Sequence, residues 1–431
     1  MRCVVACEED VALLDEMIPG FRRVPRTGVI YVMHRAEQAG YTGDVNGWAN
    51  LGRGSPEVGA LPEAPPRVNE IKFATDRLHY SPIPGNRELR QKVADFYNFM
   101  YRQGKRSVYT YENVSIAGGG RLALTRIAAA LGNVNMGHFL PDYTAYEELL
   151  SVFKAFIPIP ILLDREAGYR ISPKELKERI MGLGLSALLI SNPCNPTGQL
   201  VEGNELNAWV NIARETDTSL ILDEFYSHFV YPDTINGTAA KMISAAAYIE
   251  DVDRDPVIVV DGLTKNWRYP GLRISWTLGP KSVIEAIASA GSFLDGGANN
   301  PFQAEAMGLL DPEVAIQETV AIQRHFRQKR DYVIRRLKAM GVRIDAEPQG
   351  TFYVWANLAG LPEPINHCMP FFEAGLQEKV ITVPGVFFDV NPDGRRKVQT
   401  RYDNYCRVSF GPRMETLETG LDSLERVISK F

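Results

Sequence analysis

Four apolar runs in this chain end on polar residues of types suited to chemistry. ALLIS runs into Asn192-Pro193-Cys194-Asn195-Pro196-Thr197-Gly198, and LIL into Asp223-Glu224-Phe225-Tyr226. VIVV runs into Asp261-Gly262-Leu263-Thr264-Lys265, and VSIA into Gly118-Gly119-Gly120-Arg121. In open parallel sheets, ligands sit outside the carboxyl ends of the strands. Neighbouring strands of this kind would bring a carboxamide, a carboxylate, a phenol, an amine and a glycine loop to one crevice. The glycine loop opens a helix, where free amides and the helix dipole favour an anion such as phosphate.

An amine that forms a Schiff base must be neutral at working pH and gains from an electron sink beside it. Pyridoxal phosphate is such a sink when a carboxylate keeps its ring nitrogen protonated. It also carries a phenolic oxygen that needs donors and a phosphate that needs amides. The residue inventory matches that cofactor group by group. Taken singly, each residue has a plainer use. Asp223 fits a helix N-cap, Tyr143 and Tyr80 fit core aromatics, the glycine run fits a bare turn, and Arg407 fits an internal ion pair.

The elements that must position these groups follow from hydropathy. Short aliphatic runs at Val114–Ala117, Ala187–Ile190, Leu220–Leu222, Val257–Val260 and Ile274–Leu278 read as strands buried on both faces of a largely parallel sheet. Arg121–Leu131 and Glu205–Glu215 read as helices between them. Phe302 to Met340 reads as one helix of nearly forty residues. VRIDAEPQGTFYVWANL and CRVSFGP alternate apolar and polar, which predicts antiparallel strands half exposed to solvent. The expected fold is α/β: a large domain with a mostly parallel central sheet flanked by helices, plus a smaller α+β domain built from both chain ends. The boundaries expected are 1–70 for an N-terminal arm and part of the small domain, 71–310 for the large domain, and 311–431 for the rest of the small one.

Composition narrows the functional classes. With 431 residues, 45% hydrophobic and 23% charged, the chain resembles an ordinary globular protein. A net charge of −5 offers no electrostatic footprint for nucleic acid. None of the five cysteines forms a CxxC, and the six histidines show no metal-ligand spacing, so neither a disulfide framework nor a metal site is expected. No apolar run approaches the roughly 18 residues of a membrane span, and MRCVVACEEDVALLDEM is too polar for a secretory signal. A cytoplasmic location is expected.

With those residues in view, the sequence resembles the fold-type I pyridoxal-phosphate enzymes of the class I/II aminotransferase group. The likeness runs from about Asn50 to the C-terminus. It rests on NLGRGSP (Asn50–Pro56), YSPIPGNRELR (Tyr80–Arg90), IAGGGRLAL (Ile116–Leu124), PDYTAY (Pro141–Tyr146), SNPCNPTG (Ser191–Gly198), DEFY (Asp223–Tyr226), TKNWRYPGLR (Thr264–Arg273) and CRVSF (Cys406–Phe410), in that order. The resemblance implies that Lys265 holds the cofactor as a Schiff base and shuttles the proton. It implies that Asp223 pairs with the pyridine nitrogen and that Asn195 and Tyr226 bond the phenolic oxygen, with Tyr143 stacked on the ring. Gly120, Arg121, Thr264 and Arg273 would hold the phosphate, helped by Tyr80 from a second subunit. Arg407 would clamp the substrate α-carboxylate beneath a loop at Gly52. Gly262 departs from the family pattern, which often has a hydroxyl there.

The function this implies is transfer of the amino group of a free α-amino acid to a 2-oxo acid by a homodimer with shared sites. The alternatives on the same fold are a lyase, cyclase, decarboxylase or oxidase. A transcription regulator on this scaffold would need a DNA-binding module, for which the roughly fifty acidic, Gly/Pro-rich residues before NLGRGSP are unsuited. One expectation concerns substrate charge. Aspartate-preferring members carry an arginine in the loop aligned with SFLDGGANNPFQ (Ser292–Gln303), where this chain has Asp295. A free Asp295 would repel a dicarboxylate and favour a basic or neutral polar side chain; the other reading is that it merely caps a turn.

Overall fold

The computed structural model describes residues 20–21, 27–231 and 240–431. The N-terminal stretch considered for a signal, with Cys3 and Cys7, lies outside them. After the short strand β1 (Ala49–Asn50), seven strands form one sheet: β2 (Val114–Ala117), β3 (Asn135–Leu140), β4 (Ile157–Leu162), β5 (Leu185–Ser191), β6 (Ser219–Asp223), β7 (Val257–Gly262) and β8 (Ser275–Leu278). Their order is β2-β8-β7-β6-β5-β3-β4, and only β8 runs antiparallel to its neighbours. The helices between them are amphipathic: Gly203–Thr216 buries Leu206, Trp209, Val210 and Ala213, the three-and-four spacing of one helix face.

Register decides where the functional groups emerge. Ser191 pairs with Asp223, Asp223 with Val260, Gly262 with Ser275, and Ser275 with Ala117. The carboxyl ends of β2, β5, β6 and β7 therefore stand in line, and the reversed β8 begins at that same edge, just after Arg273. β3 and β4 were not legible in the sequence. Gly137 and His138 interrupt β3, and Pro158 and Pro160 interrupt β4, which sits at the sheet edge where a strand tolerates lost amides.

The remaining elements bring the two chain ends together. β1 pairs in parallel with β10 (Val380–Ile381). β11 (Val383–Pro384), β12 (Tyr405–Ser409) and β9 (Tyr353–Asn357) form an antiparallel sheet in that order. Two expectations are corrected here. β9 and β12 are buried along their whole lengths rather than half exposed. The long helix Pro312–Ala339 packs beside β9, with Phe326 against Phe352, while Tyr353 and Arg407 turn inward to a site. The helix expected from Phe302 to Met340 is two helices, Asn300–Leu309 and Pro312–Ala339. Asp311 caps the second through the Glu313 amide at 3.0 Å, and Pro312 cannot donate back into the first.

Candidate active site

Lys265 lies three residues beyond β7, and its Nζ donates to the Gly54 carbonyl. Asp223, the last residue of β6, is 6% exposed. Its Oδ2 accepts from the Tyr146 hydroxyl at 2.8 Å and its Oδ1 from the Phe225 amide at 3.4 Å. Arg407 sits mid-strand on β12, paired with Trp355 and Val383, so the small sheet aims it. Its Nη1 donates to Asn195 Oδ1 and its Nη2 to the Gly52 carbonyl, each at 3.0 Å. The guanidinium lies 4.1 Å from the Tyr353 ring centre and 5.2 Å from that of Phe388. The hydroxyls of Tyr226 and Tyr353 are 3.0 Å apart.

A second edge of the site is built by the glycine loop. Gly119 has φ 101°, a conformation few side chains adopt, and a Cβ there would collide with the Arg273 guanidinium. Arg121 Nη2 donates to the Tyr143 hydroxyl at 3.3 Å. Thr264 Oγ1 is buried without a hydrogen-bond partner among the described residues, a state that costs about 1–3 kcal/mol unless a ligand meets it. In the segment after Lys265, Arg268 and Arg273 hold φ of 56° and 52°, conformations that cost a non-glycine residue energy. At Gly262 a Cβ would lie 2.6 Å from Ile274 O and Ser275 Cα. The missing hydroxyl is therefore a packing requirement of the β7–β8 pair.

Electrostatics mark the same residues. Burial, with Arg407, Arg273 and Arg121 in reach, brings the Lys265 amine down to about 7, so a large share is neutral near physiological pH. Burial lifts the Asp223 carboxyl to about 6, against the pull of the Tyr146 hydroxyl and the Phe225 amide. Asp142 is buried too, and burial raises it well above the usual carboxylate range, with Asp223 adding to the rise. Its Oδ1 accepts from the Tyr143 amide at 2.8 Å, and its Oδ2 has no partner among the described residues.

Of the residues singled out in the sequence, Lys265, Asp223, Tyr226, Asn195, Arg407, Gly52, Gly120, Arg121, Tyr143, Thr264 and Arg273 gather at this edge. Tyr80 does not; it is 96% exposed, on a loop tied to the distant Ser292–Gln303 loop by Ser81 Oγ to Ala298 O (2.9 Å) and Asn300 Nδ2 to His79 O (3.1 Å). Asp295 does not face the crevice as a free anion, which corrects the charge-reading expectation. Its carboxylate receives Nε and Nη2 of the fully buried Arg126 at 2.9 and 2.5 Å, and Oδ1 also caps the Gly297 amide at 3.0 Å. Its charge is neutralised internally. Four residues had been overlooked: Tyr146, Tyr353, Asp142 and Gly54. Asp142 and Tyr146 stand in PDYTAY and Gly54 in NLGRGSP, strings already singled out, but nothing in them marked these positions.

The donor set fits pyridoxal phosphate. The orphaned Thr264 hydroxyl, the Gly119 cradle and Arg273 suit the phosphate, Asp223 a ring nitrogen, and Lys265 an aldehyde carbon. A family model described as aminotransferase class I and II matches residues 46–424. An aspartate aminotransferase of Pyrococcus horikoshii is 25% identical over 387 residues, covering 88% of this chain and 90% of its own. Aromatic-amino-acid aminotransferase 2 of Thermococcus litoralis is 26% identical over 393 residues, covering 90% and 93%. Among solved structures, aspartate aminotransferase from Thermus thermophilus with maleate superposes with a TM-score of 0.75 at 22% identity, covering 94% of this chain and all of that one.

Proposed function

The chain belongs to the class I and II aminotransferases, and from that premise we propose how its own residues divide the work. The protein is a pyridoxal-phosphate-dependent transferase that moves the amino group of a free α-amino acid to a 2-oxo acid; the lyase, cyclase, decarboxylase and oxidase alternatives are not favoured. When bound, the cofactor supplies the electron sink for the substrate's Cα–H bond.

Lys265 is the covalent anchor and the base that takes and returns the Cα proton. The observation that carries this role is its amine, held near neutrality by burial and three guanidinium groups; a lysine at the ordinary 10.5 would be protonated and inert. Asp223, with its orienting donor Tyr146, keeps the ring nitrogen protonated. Tyr226 and Asn195 donate to the phenolic oxygen, and Tyr143 covers the ring. Gly120, Arg121, Thr264 and Arg273 hold the phosphate. Arg407 takes the α-carboxylate with a planar fork, a geometry lysine cannot reproduce; its present acceptors, the Asn195 side chain and the Gly52 carbonyl, mark where that carboxylate arrives. Reduction of the holoenzyme with borohydride should label Lys265, and label on any other lysine would refute the assignment.

Three finer points belong to the same reading. The chain works as a homodimer in which Tyr80 completes the partner's phosphate site, supported by its exposed aromatic ring on a laced loop; full activity of a monomer would oppose it. The division at 1–70, 71–310 and 311–431 is supported by the β1–β10 pairing of the two ends, and the cytoplasm by the described cysteines standing as thiols. The amino donor has an uncharged side chain. Ser292–Gln303 contains no lysine or arginine to meet a second carboxylate, and its one acid is neutralised by Arg126. Single-turnover bleaching of the cofactor absorbance with phenylalanine or leucine should outpace that with aspartate or lysine; the reverse order would overturn this choice.

A further inference from the structure

We propose that Tyr353 is a positioning residue that links the carboxylate clamp to the phenolic-oxygen donor Tyr226. The inference rests on the reading of Tyr226 above.

Tyr353 opens β9 and is 1% exposed. Its hydroxyl stands 3.0 Å from that of Tyr226, with the rings edge to face at 5.7 Å. Its ring face lies beneath the Arg407 guanidinium. One side chain thus touches two functional groups that come from different sheets, Tyr226 beyond β6 and Arg407 on β12.

A pair of phenols can share one hydrogen bond in only one direction at a time. When Tyr226 gives its proton to the cofactor's phenolic oxygen, its own oxygen is free to accept from Tyr353. Hydrogen bonds in series polarise one another, so Tyr353 strengthens the donation Tyr226 makes. That donation competes for the phenolic oxygen with the proton carried by the lysine–cofactor linkage, and weakening it makes the linkage hold its proton more tightly. The lower half of Tyr353 has a separate task. Its negative ring face under a desolvated guanidinium holds the plane of Arg407, which leaves Nη1 and Nη2 directed at the carboxylate position.

Two halves of one side chain call for two substitutions. Tyr353→Phe keeps the ring and removes the hydroxyl. The pH midpoint of the holoenzyme's visible absorbance should rise by roughly half a unit, about threefold tighter proton binding, while KM for the 2-oxo acid stays within about twofold. Tyr353→Leu also removes the ring face, and KM should rise by about tenfold. In Tyr226→Phe the midpoint should rise further, and adding Tyr353→Phe to it should change nothing more, because the effect passes through Tyr226. A purely structural role for Tyr353 would not move the absorbance midpoint. If Tyr353→Phe titrates as wild type while Tyr226→Phe is shifted, the proposal is overturned. If neither variant is shifted, the placing of Tyr226 fails and this inference falls with it.

Discussion

The two edges of the site are built in opposite ways. The phosphate edge is open and made of two local strings that meet. Gly119, Gly120 and Arg121 are consecutive, Thr264 adjoins Lys265, and the guanidinium groups of Arg121 and Arg273 reach solvent. The clamp edge is long-range and closed. Arg407 meets Asn195 and Gly52 across 212 and 355 positions of sequence and is 1% exposed. Local geometry suits an anion that stays through every turnover, because backbone amides and a helix start are ready whenever the strand ends. A closed guanidinium between two aromatic rings suits a ligand that comes and goes, because a desolvated fork discriminates sharply between a carboxylate and its absence.

Lys265 joins the two edges, so its loss should be the largest effect. Lys265→Ala should lower turnover at least about a thousandfold, with the fold retained by circular dichroism. Retained turnover would mean that no covalent anchor operates there.

Arg407→Ala should come next. Loss of a buried bidentate fork should lower kcat/KM about 10²–10³-fold, mostly through KM, while cofactor affinity stays near wild type. A fall in cofactor affinity equal to the fall in substrate affinity would break the division into two edges. Arg273→Ala should show the converse and be smaller. Its guanidinium is exposed and, on the proposed reading, would share the phosphate with amides and Thr264, so cofactor dissociation should rise about tenfold with KM little changed. Equilibrium dialysis separates the two outcomes.

The smallest effect is one of stability and concerns Asp223, which lies between the edges. Its folded carboxyl titrates near 6 rather than at the ordinary 3.8. A raised carboxyl binds its proton more tightly when folded, so the cofactor-free protein loses stability as pH rises from about 4 to about 6, and the loss persists above. About two units correspond to about 3 kcal/mol as an upper bound. Asp223→Asn should therefore match the cofactor-free wild type near pH 4 and melt above it at pH 7, although the variant is nearly inactive. Equal melting temperatures at pH 7 would show that the buried carboxylate is compensated.

The phosphate edge was legible because each part is a short string at a strand end, and Gly-Gly-Gly-Arg or Thr-Lys keeps its meaning without knowledge of the rest of the chain. The clamp was legible only through resemblance. Nothing in CRVSF says that Arg407 faces inward, since its strand alternates like one half exposed. Its burial comes from Gly52, Asn195, Tyr353 and Phe388 closing around the guanidinium, and that packing is a tertiary event. Asp295 makes the same point in reverse. Its loop position suggested a free charge, while its partner Arg126 lies 169 positions away on a helix that gave no hint of the pairing.

By itself, the sequence determined the strand ends and what they carry, because hydropathy and glycine punctuation act over a few residues. Within those limits, the amine, the carboxylate, the phenol and the glycine loop it singled out all emerge at one edge of the sheet. Tertiary structure alone decided which charges remain free, which hydroxyls share a proton, and how far burial moves each titration. The contacts of Tyr353, Tyr146 and Arg126 became visible only when distant segments met, because hydrogen bonds and ion pairs form between atoms a few ångströms apart, whatever their separation along the chain.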